Sequence, residues 1–193
     1  MARPVEFDRE EAIASAIRVF ARHGFEGAST TDLLKSIGIG RQSLYGAFGD
    51  KRRLFLEALR HYSAASLAQM RDALATEGQA VEAIEAGLLV GLGSCADLET
   101  GCLGVGSIAE FGRSDPDINA LNDAAGEAVL ALFAARVRDG VTTGELGSNL
   151  DPAAVGRMLL VLRSGLKVAV RGGATETEVR DGARLALRGL VRR

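Results

Sequence analysis

The apolar positions of this chain repeat at helical spacing almost from end to end. Asp8 and Glu11 form a D-x-x-E start, a variant of the capping box, and Ile13, Ile17 and Phe20 follow on one face. Gly24 is expected to close that first helix. A second, short helix is predicted from Ser29 or Thr30, with Asp32 in its first turn, Leu33, Leu34 and Ile37 as its apolar face, and Gly38 as its end. Ile39 and Gly40 make a tight turn. A third short helix carries Leu44, Tyr45 and Phe48, and Gly49 breaks it. Asp50 then caps a long fourth helix with Leu54, Phe55, Ala58, Leu59 and Tyr62 at helical spacing.

Past about Gly78 the helices lengthen. Val81, Ile84, Leu88 and Leu92 give one amphipathic segment, CADLETG reads as a loop, and CLGVGSIAEF as a short glycine-loosened helix. Asp115-Pro116 and Asp151-Pro152 each place Asp at an N-cap and Pro at the first helical position, where its missing N–H costs nothing. Thr175 opens a last helix, with Glu178 completing a capping box. Alternating strand patterns, repeats and low-complexity tracts are absent. The expectation is an all-α chain of about nine helices.

Composition narrows the class. Of 193 residues, 47% are hydrophobic and 25% charged, enough for one large or two small globular domains. No apolar run approaches the roughly 18 residues of a membrane span, so no membrane association is expected. The opening MARPVEFDREEA has no apolar core and does not read as a secretory signal. Two cysteines, Cys95 and Cys102, are too few for a disulfide framework, which points to a reduced, cytoplasmic setting. The net charge is −2, but it is uneven: residues 1–62 hold ten Lys or Arg and eight Asp or Glu, so the first third is net positive and the remainder negative. Between Arg41 and Arg60 five cations stand against two anions, as expected for a face that meets a polyanion.

That basic stretch also holds a motif. Thr30–Ile37 and Arg41–Phe48 are two short helices separated by a three-residue turn containing glycine, the spacing of a helix-turn-helix. In such a unit the second helix enters the major groove N-terminus first. Here that end is Arg41, Gln42 and Ser43, side chains able to read guanine, adenine, or either. Lys51, Arg52 and Arg53 follow in the first turn of the next helix. Cations there oppose the macrodipole, so the cluster makes sense beside a phosphate.

The stretch TTDLLKSIGIGRQSLYGAFGDKRRLFLEAL resembles the DNA-binding domain of the tetracycline-repressor (TetR) family of bacterial regulators, with the glycine turn, SLY, F-x-D-K and the following LF in register. The likeness covers roughly residues 8–62. It implies an N-terminal three-helix helix-turn-helix domain at 1–50, with the start of the fourth helix to about 62. That long helix would join it to a larger helical effector-binding and dimerisation domain at 51–193. It implies that Tyr45 and Lys51 touch phosphate, and that Thr30, Thr31, Arg41, Gln42 and Ser43 touch phosphate or bases. Gly40 stands where the family often has a Ser or Thr cap, and Gly46 and Ala47 where bulkier groups are common, so discrimination should lean on Arg41 and Gln42. A homodimer is expected through the last two helices, about Pro152–Val170 and Glu176–Val191, bound to a palindromic double-stranded operator. The implied function is a one-component regulator, a repressor released by a small molecule. The expected effector pocket draws on Met70, Leu88, Leu92, Cys95, Cys102, Ile108, Phe111 and Phe133, whose scarcity of charge suggests an apolar ligand.

Other function classes find less support in the sequence. His23 and His61 belong to no metal or catalytic pattern, no G-x-S-x-G elbow occurs, and GIGRQS lacks the strand and third glycine of a nucleotide loop, so neither an enzyme nor a cofactor is expected. Cys95 and Cys102 lack C-x-x-C spacing; they are expected as small buried groups, with a redox or electrophile-sensing role for Cys102 as the alternative. The remaining alternative is a helical interaction protein without DNA binding, using AVGRMLLVLRSGLKVAV as a partner helix.

Overall fold

The computed structural model describes residues 7–92 and 101–191, and among them every extended element is helical. The helices are α1 (Arg9–Gly27), α2 (Thr30–Ile37), α3 (Arg41–Phe48), α4 (Lys51–Leu74), α5 (Ala80–Leu89), α6 (Leu103–Phe111), α7 (Pro116–Thr143), α8 (Pro152–Arg171) and α9 (Glu176–Leu187). A single antiparallel bridge, Leu146 with Val191, supplements them. The chain divides into two compact units: Met1–Ser63 with Thr100–Asn122, and Ala64–Glu99 with Asp123–Arg193.

The helix ends follow from local chemistry. Asp8 accepts from the N–H groups of Glu10 and Glu11, Asp50 from that of Arg53, Asp115 from those of Asp117 and Ile118, and Asp151 from that of Ala153. Ser29 with Asp32 and Thr175 with Glu178 form complete capping boxes. The first helix breaks at Gly24, φ 73°, as expected, and a further helical turn runs on to Gly27 beyond the kink. Only glycine fits there, because that φ is left-handed and because a Cβ would stand 2.8 Å from the Glu110 carboxylate.

The first unit is built around α1, which packs on both α2 and α6. Its core joins Ile13, Ala16 and Phe20 of α1 to Leu33, Leu44, Phe48, Leu54, Phe55 and Leu59, with Leu103 and Ile118 closing it. Aromatic rings dominate: Phe55 meets Phe20 edge-on at 5.0 Å between centroids, Phe25 at 5.2 Å and Phe111 at 5.7 Å. In the second unit, α9 packs on α5 and α8, and α5 on α8. Its core is aliphatic, with Met70, Ile84, Leu88, Val137, Leu159, Leu166, Val179 and Leu187 around one ring, Phe133.

Candidate nucleic-acid interface

The two short helices and their turn stand as the spacing requires. Gly38 ends α2 at φ 79°, donating its N–H to the Leu34 carbonyl, and Gly40 opens α3 from an extended conformation. In α3, Leu44 and Phe48 are buried, so by helical periodicity Gln42 and Gly46 face away from the core. Arg41 and Gln42 are exposed, Ser43 half-buried, and Tyr45 exposed with its ring on the outer side. Thr30 is half-buried at the start of α2, and Thr31 is exposed beside it. A Cβ at Gly46 would meet nothing within 4 Å, so this side of α3 is bare.

The N-terminus of α3 has no side-chain cap and no acidic residue in its first turn. Its leading N–H groups therefore lie open beside the Arg41 side chain, a combination that attracts anions. Lys51, at the start of α4, is half-buried, with its ammonium 4.6 Å from the centroid of the Phe25 ring.

The basic cluster divides differently from the expectation that Lys51, Arg52 and Arg53 together approach a phosphate. Arg52 is committed to the fold: its guanidinium grips both oxygens of Asp115 at 2.9 Å and reaches Asp117 at 2.8 Å. These carboxylates raise the Arg52 pKa, hydrogen bonding to Asp117 foremost. Asp115 is held below the usual carboxylate range, chiefly by the Ile118 N–H and also by Arg52. Arg53 is exposed and lies 3.7 Å from Asp50 of its own helix start. Arg52–Asp115 spans 63 positions, and no local pattern could have announced it.

The residues expected to line an effector pocket fall in different units. Met70, Leu88, Leu92 and Phe133 are buried in the core of the second. Cys102, Ile108 and Phe111 belong to the first, where Ile108 is 54% exposed and Phe111 packs against Phe25 at 5.5 Å. Cys95 lies outside the described residues. Cys102 is the N-cap of α6: its sulfur accepts from the Val105 N–H at 3.4 Å and lies 3.1 Å from the Tyr62 hydroxyl. Two charged residues that the sequence reading passed over are buried in the second unit, Arg163 and Lys167, each 7% exposed. Their signal was present, a pair of cations one helical turn apart inside the apolar run MLLVLRSGLKVAV. Among the described residues no cluster of His, Cys, Asp or Glu could hold a metal, and no helix is long and apolar enough to cross a membrane.

Comparison with known proteins agrees with this arrangement. Residues 12–58 match the family model of bacterial regulatory proteins, tetR family. The chain is 31% identical over 190 residues to YezE, an uncharacterised HTH-type transcriptional regulator of Bacillus subtilis, covering 97% of this chain and 98% of that one. It is 27% identical over 192 residues to the HTH-type transcriptional repressor ComR of Escherichia coli, covering 96% and 90%. Among solved structures, a cysteine mutant of the TetR family transcriptional regulator CifR, complexed with 26-base-pair double-strand operator DNA, superposes with a TM-score of 0.80. Its identity is 31%, and the match covers 96% of this chain and 98% of that one. With a helix-turn-helix presenting Arg41 and Gln42, and relatives that are regulators rather than enzymes along its whole length, this chain belongs to the TetR family of bacterial transcriptional regulators.

Proposed function

We propose that this protein is a cytoplasmic, dimeric repressor that holds a palindromic operator through α3 of each copy and releases it when a small molecule binds the second unit. The observation that carries the reading is the orientation of α3: Leu44 and Phe48 seat it, while Arg41 and Gln42 stand outward at an uncapped N-terminus and Tyr45 is exposed one turn on. Arg41, Gln42 and Ser43 are placed to meet base edges. In this reading Thr30, Thr31, Tyr45 and Lys51 meet phosphates, fixing position without reading sequence. In this reading residues 1–50 form the reading domain and 51–193 the effector-binding and dimerisation domain.

Dimerisation is supported by the surface of α8. Met158, Val161 and Val168 are exposed apolar residues on one helical stripe, Val161 at 68%, and Leu185 is exposed on α9. A two-fold pairing of these helices covers them and sets two α3 helices about one DNA turn apart. We infer that the effector binds the second unit, where Met70, Leu88, Leu92 and Phe133 form part of the buried apolar core. Arg163 and Lys167 are buried in the same unit, with Arg163 donating to the Ser66 hydroxyl at 3.2 Å. Release requires that the ligand favour one of two states by its differential affinity.

The test is to select DNA from a random pool with the purified protein, footprint the product, and measure mass by light scattering. Two protected half-sites about one helical turn apart and a dimer mass are expected. Failure to enrich any sequence, or a monomer with and without DNA, contradicts the reading.

A second reading, thiol sensing, rests on Cys102. Its sulfur caps α6, accepting from the Val105 N–H at 3.4 Å, and lies 3.1 Å from the Tyr62 hydroxyl, so a change at this thiol would disturb both contacts. Hydrogen peroxide should then weaken operator binding by the parent and leave Cys102→Ser unaffected; equal responses assign the thiol to packing.

A further inference from the structure

The recognition helix is held by few groups for an element that has to present side chains at a fixed depth. It has eight residues, no side-chain cap at Gly40, and two buried side chains, Leu44 and Phe48. Its C-terminal end is gripped from elsewhere. Arg9, the first residue of α1, donates from Nη1 to the Ala47 carbonyl at 2.9 Å. The same guanidinium lies 4.4 Å from the Phe48 ring centroid. Its Nε and Nη2 close a fork on Glu57 of α4, at 3.1 Å and 2.8 Å to Oε1 and 2.8 Å to Oε2. One planar group thus ties the last turn of α3 to α1 and α4.

Stability alone is a poor reason for this clamp. The Arg9 side chain is 48% exposed, and ion pairs at such sites contribute little. A bidentate fork adds direction, which a point charge cannot supply. A cation at this end of α3 also complements the helix dipole and satisfies a carbonyl that the helix leaves unpaired. We propose that Arg9 is a positioning residue for DNA reading: it sets the tilt and depth of α3, and through them the approach of Arg41, Gln42 and Ser43 to base edges, without touching DNA itself. This rests on the reading of α3 as the base-reading helix.

The experiment compares the parent, Arg9→Ala, Arg9→Lys and Glu57→Gln on two DNAs across a salt series, with thermal unfolding of each variant. The DNAs are a duplex that the parent selects from a random pool and its scrambled counterpart. For Arg9→Ala, the ratio of selected to scrambled affinity should fall about tenfold, the scale of one misread base pair, with the salt slope unchanged. Arg9→Lys keeps the charge but loses the fork, and should show the same fall. Glu57→Gln removes an anion, so charge alone would tighten binding to both duplexes; the positioning role predicts a lower ratio instead. Should Arg9→Ala fail to fold, Glu57→Gln carries the test. An equal weakening on both DNAs with a salt slope lowered by about one makes Arg9 a phosphate contact and overturns the proposal. A lower melting temperature with an unchanged ratio, measured well below melting, reduces Arg9 to a structural residue and also overturns it. If the parent selects no sequence, the reading of α3 fails; if it does and the variants keep its ratio, only the role of Arg9 fails.

Discussion

The two units bury different chemistry. Six of the seven phenylalanines lie in the first, where Phe20, Phe25, Phe55 and Phe111 contact one another; the second has Phe133 alone. The second unit instead buries two cations, Arg163 and Lys167, within an aliphatic core. Rings have few rotamers and directional contacts, so an aromatic cluster fixes one geometry. Leucine, valine and methionine repack more readily around a changed volume. Under the proposed function the difference suits a rigid reading head and a more adaptable effector-binding unit.

The largest effect that would break this comparison concerns the rings. Phe55→Ala should cost about 3–5 kcal/mol, by the usual scale for a buried phenylalanine. Phe55→Leu should cost more than Phe133→Leu by roughly 1 kcal/mol, because only Phe55 loses ring-to-ring contacts. Urea unfolding with a fitted slope checks both; equal costs for the two leucine variants would remove the distinction between the cores.

A smaller effect tests a feature the units share. In each, a distant carboxylate accepts at the start of a helical turn: Glu110 from the Phe25 and Glu26 N–H groups at 2.7 Å, just past the Gly24 kink, and Glu145 from the Ala80 N–H at 2.8 Å at the start of α5. Glu145→Ala should lower stability by about 1–2 kcal/mol, the loss of a charged cap, with hydrogen exchange rising first in α5. Protection lost uniformly across the second unit would argue against a local cap.

The mildest effect is on acid stability. Asp32 is held below its ordinary value near 3.8 mainly by the Ser29 hydroxyl, and Asp115 below the same value mainly by the Ile118 N–H; Glu178 is held below 4.5 by the Thr175 N–H and hydroxyl. Each folded pKa is depressed, so each contribution is complete above the unfolded value and fades as pH falls through the lowered one. Two of the three groups belong to the first unit, which should therefore soften first on acidification below about pH 4. Asp115→Asn should flatten the pH dependence of melting there; an unchanged pH profile would show that the Arg52–Asp115 clamp carries no linkage.

Legibility in the sequence followed the range of the interaction. Helix starts at Asp8, Asp50, Asp115, Asp151 and Thr175 were readable because each cap side chain and the backbone N–H it accepts from lie within three residues. So was the helix-turn-helix, whose glycine turn and outward Arg41 and Gln42 are local. The clamps were not: Arg9 meets Glu57 across 48 positions and Arg52 meets Asp115 across 63, and no short window holds both partners. Hence the sequence places Arg52 in a basic cluster but does not show that it is tied to Asp115 and Asp117. An effector pocket has no signature of its own in the sequence, because aliphatic core residues and aliphatic ligand walls have the same pattern.

The central claim, that α3 reads bases while its flank grips phosphate, is tested most directly by Gln42→Ala and Lys51→Ala. Both are measured on the selected duplex and on scrambled DNA across a salt series. Lys51→Ala should weaken both complexes by a similar factor and lower the salt slope by about one. Gln42→Ala should cost about 1–3 kcal/mol on the selected duplex alone and leave the slope nearly unchanged. The reverse assignment of effects, or no effect of either substitution on binding, would contradict the account.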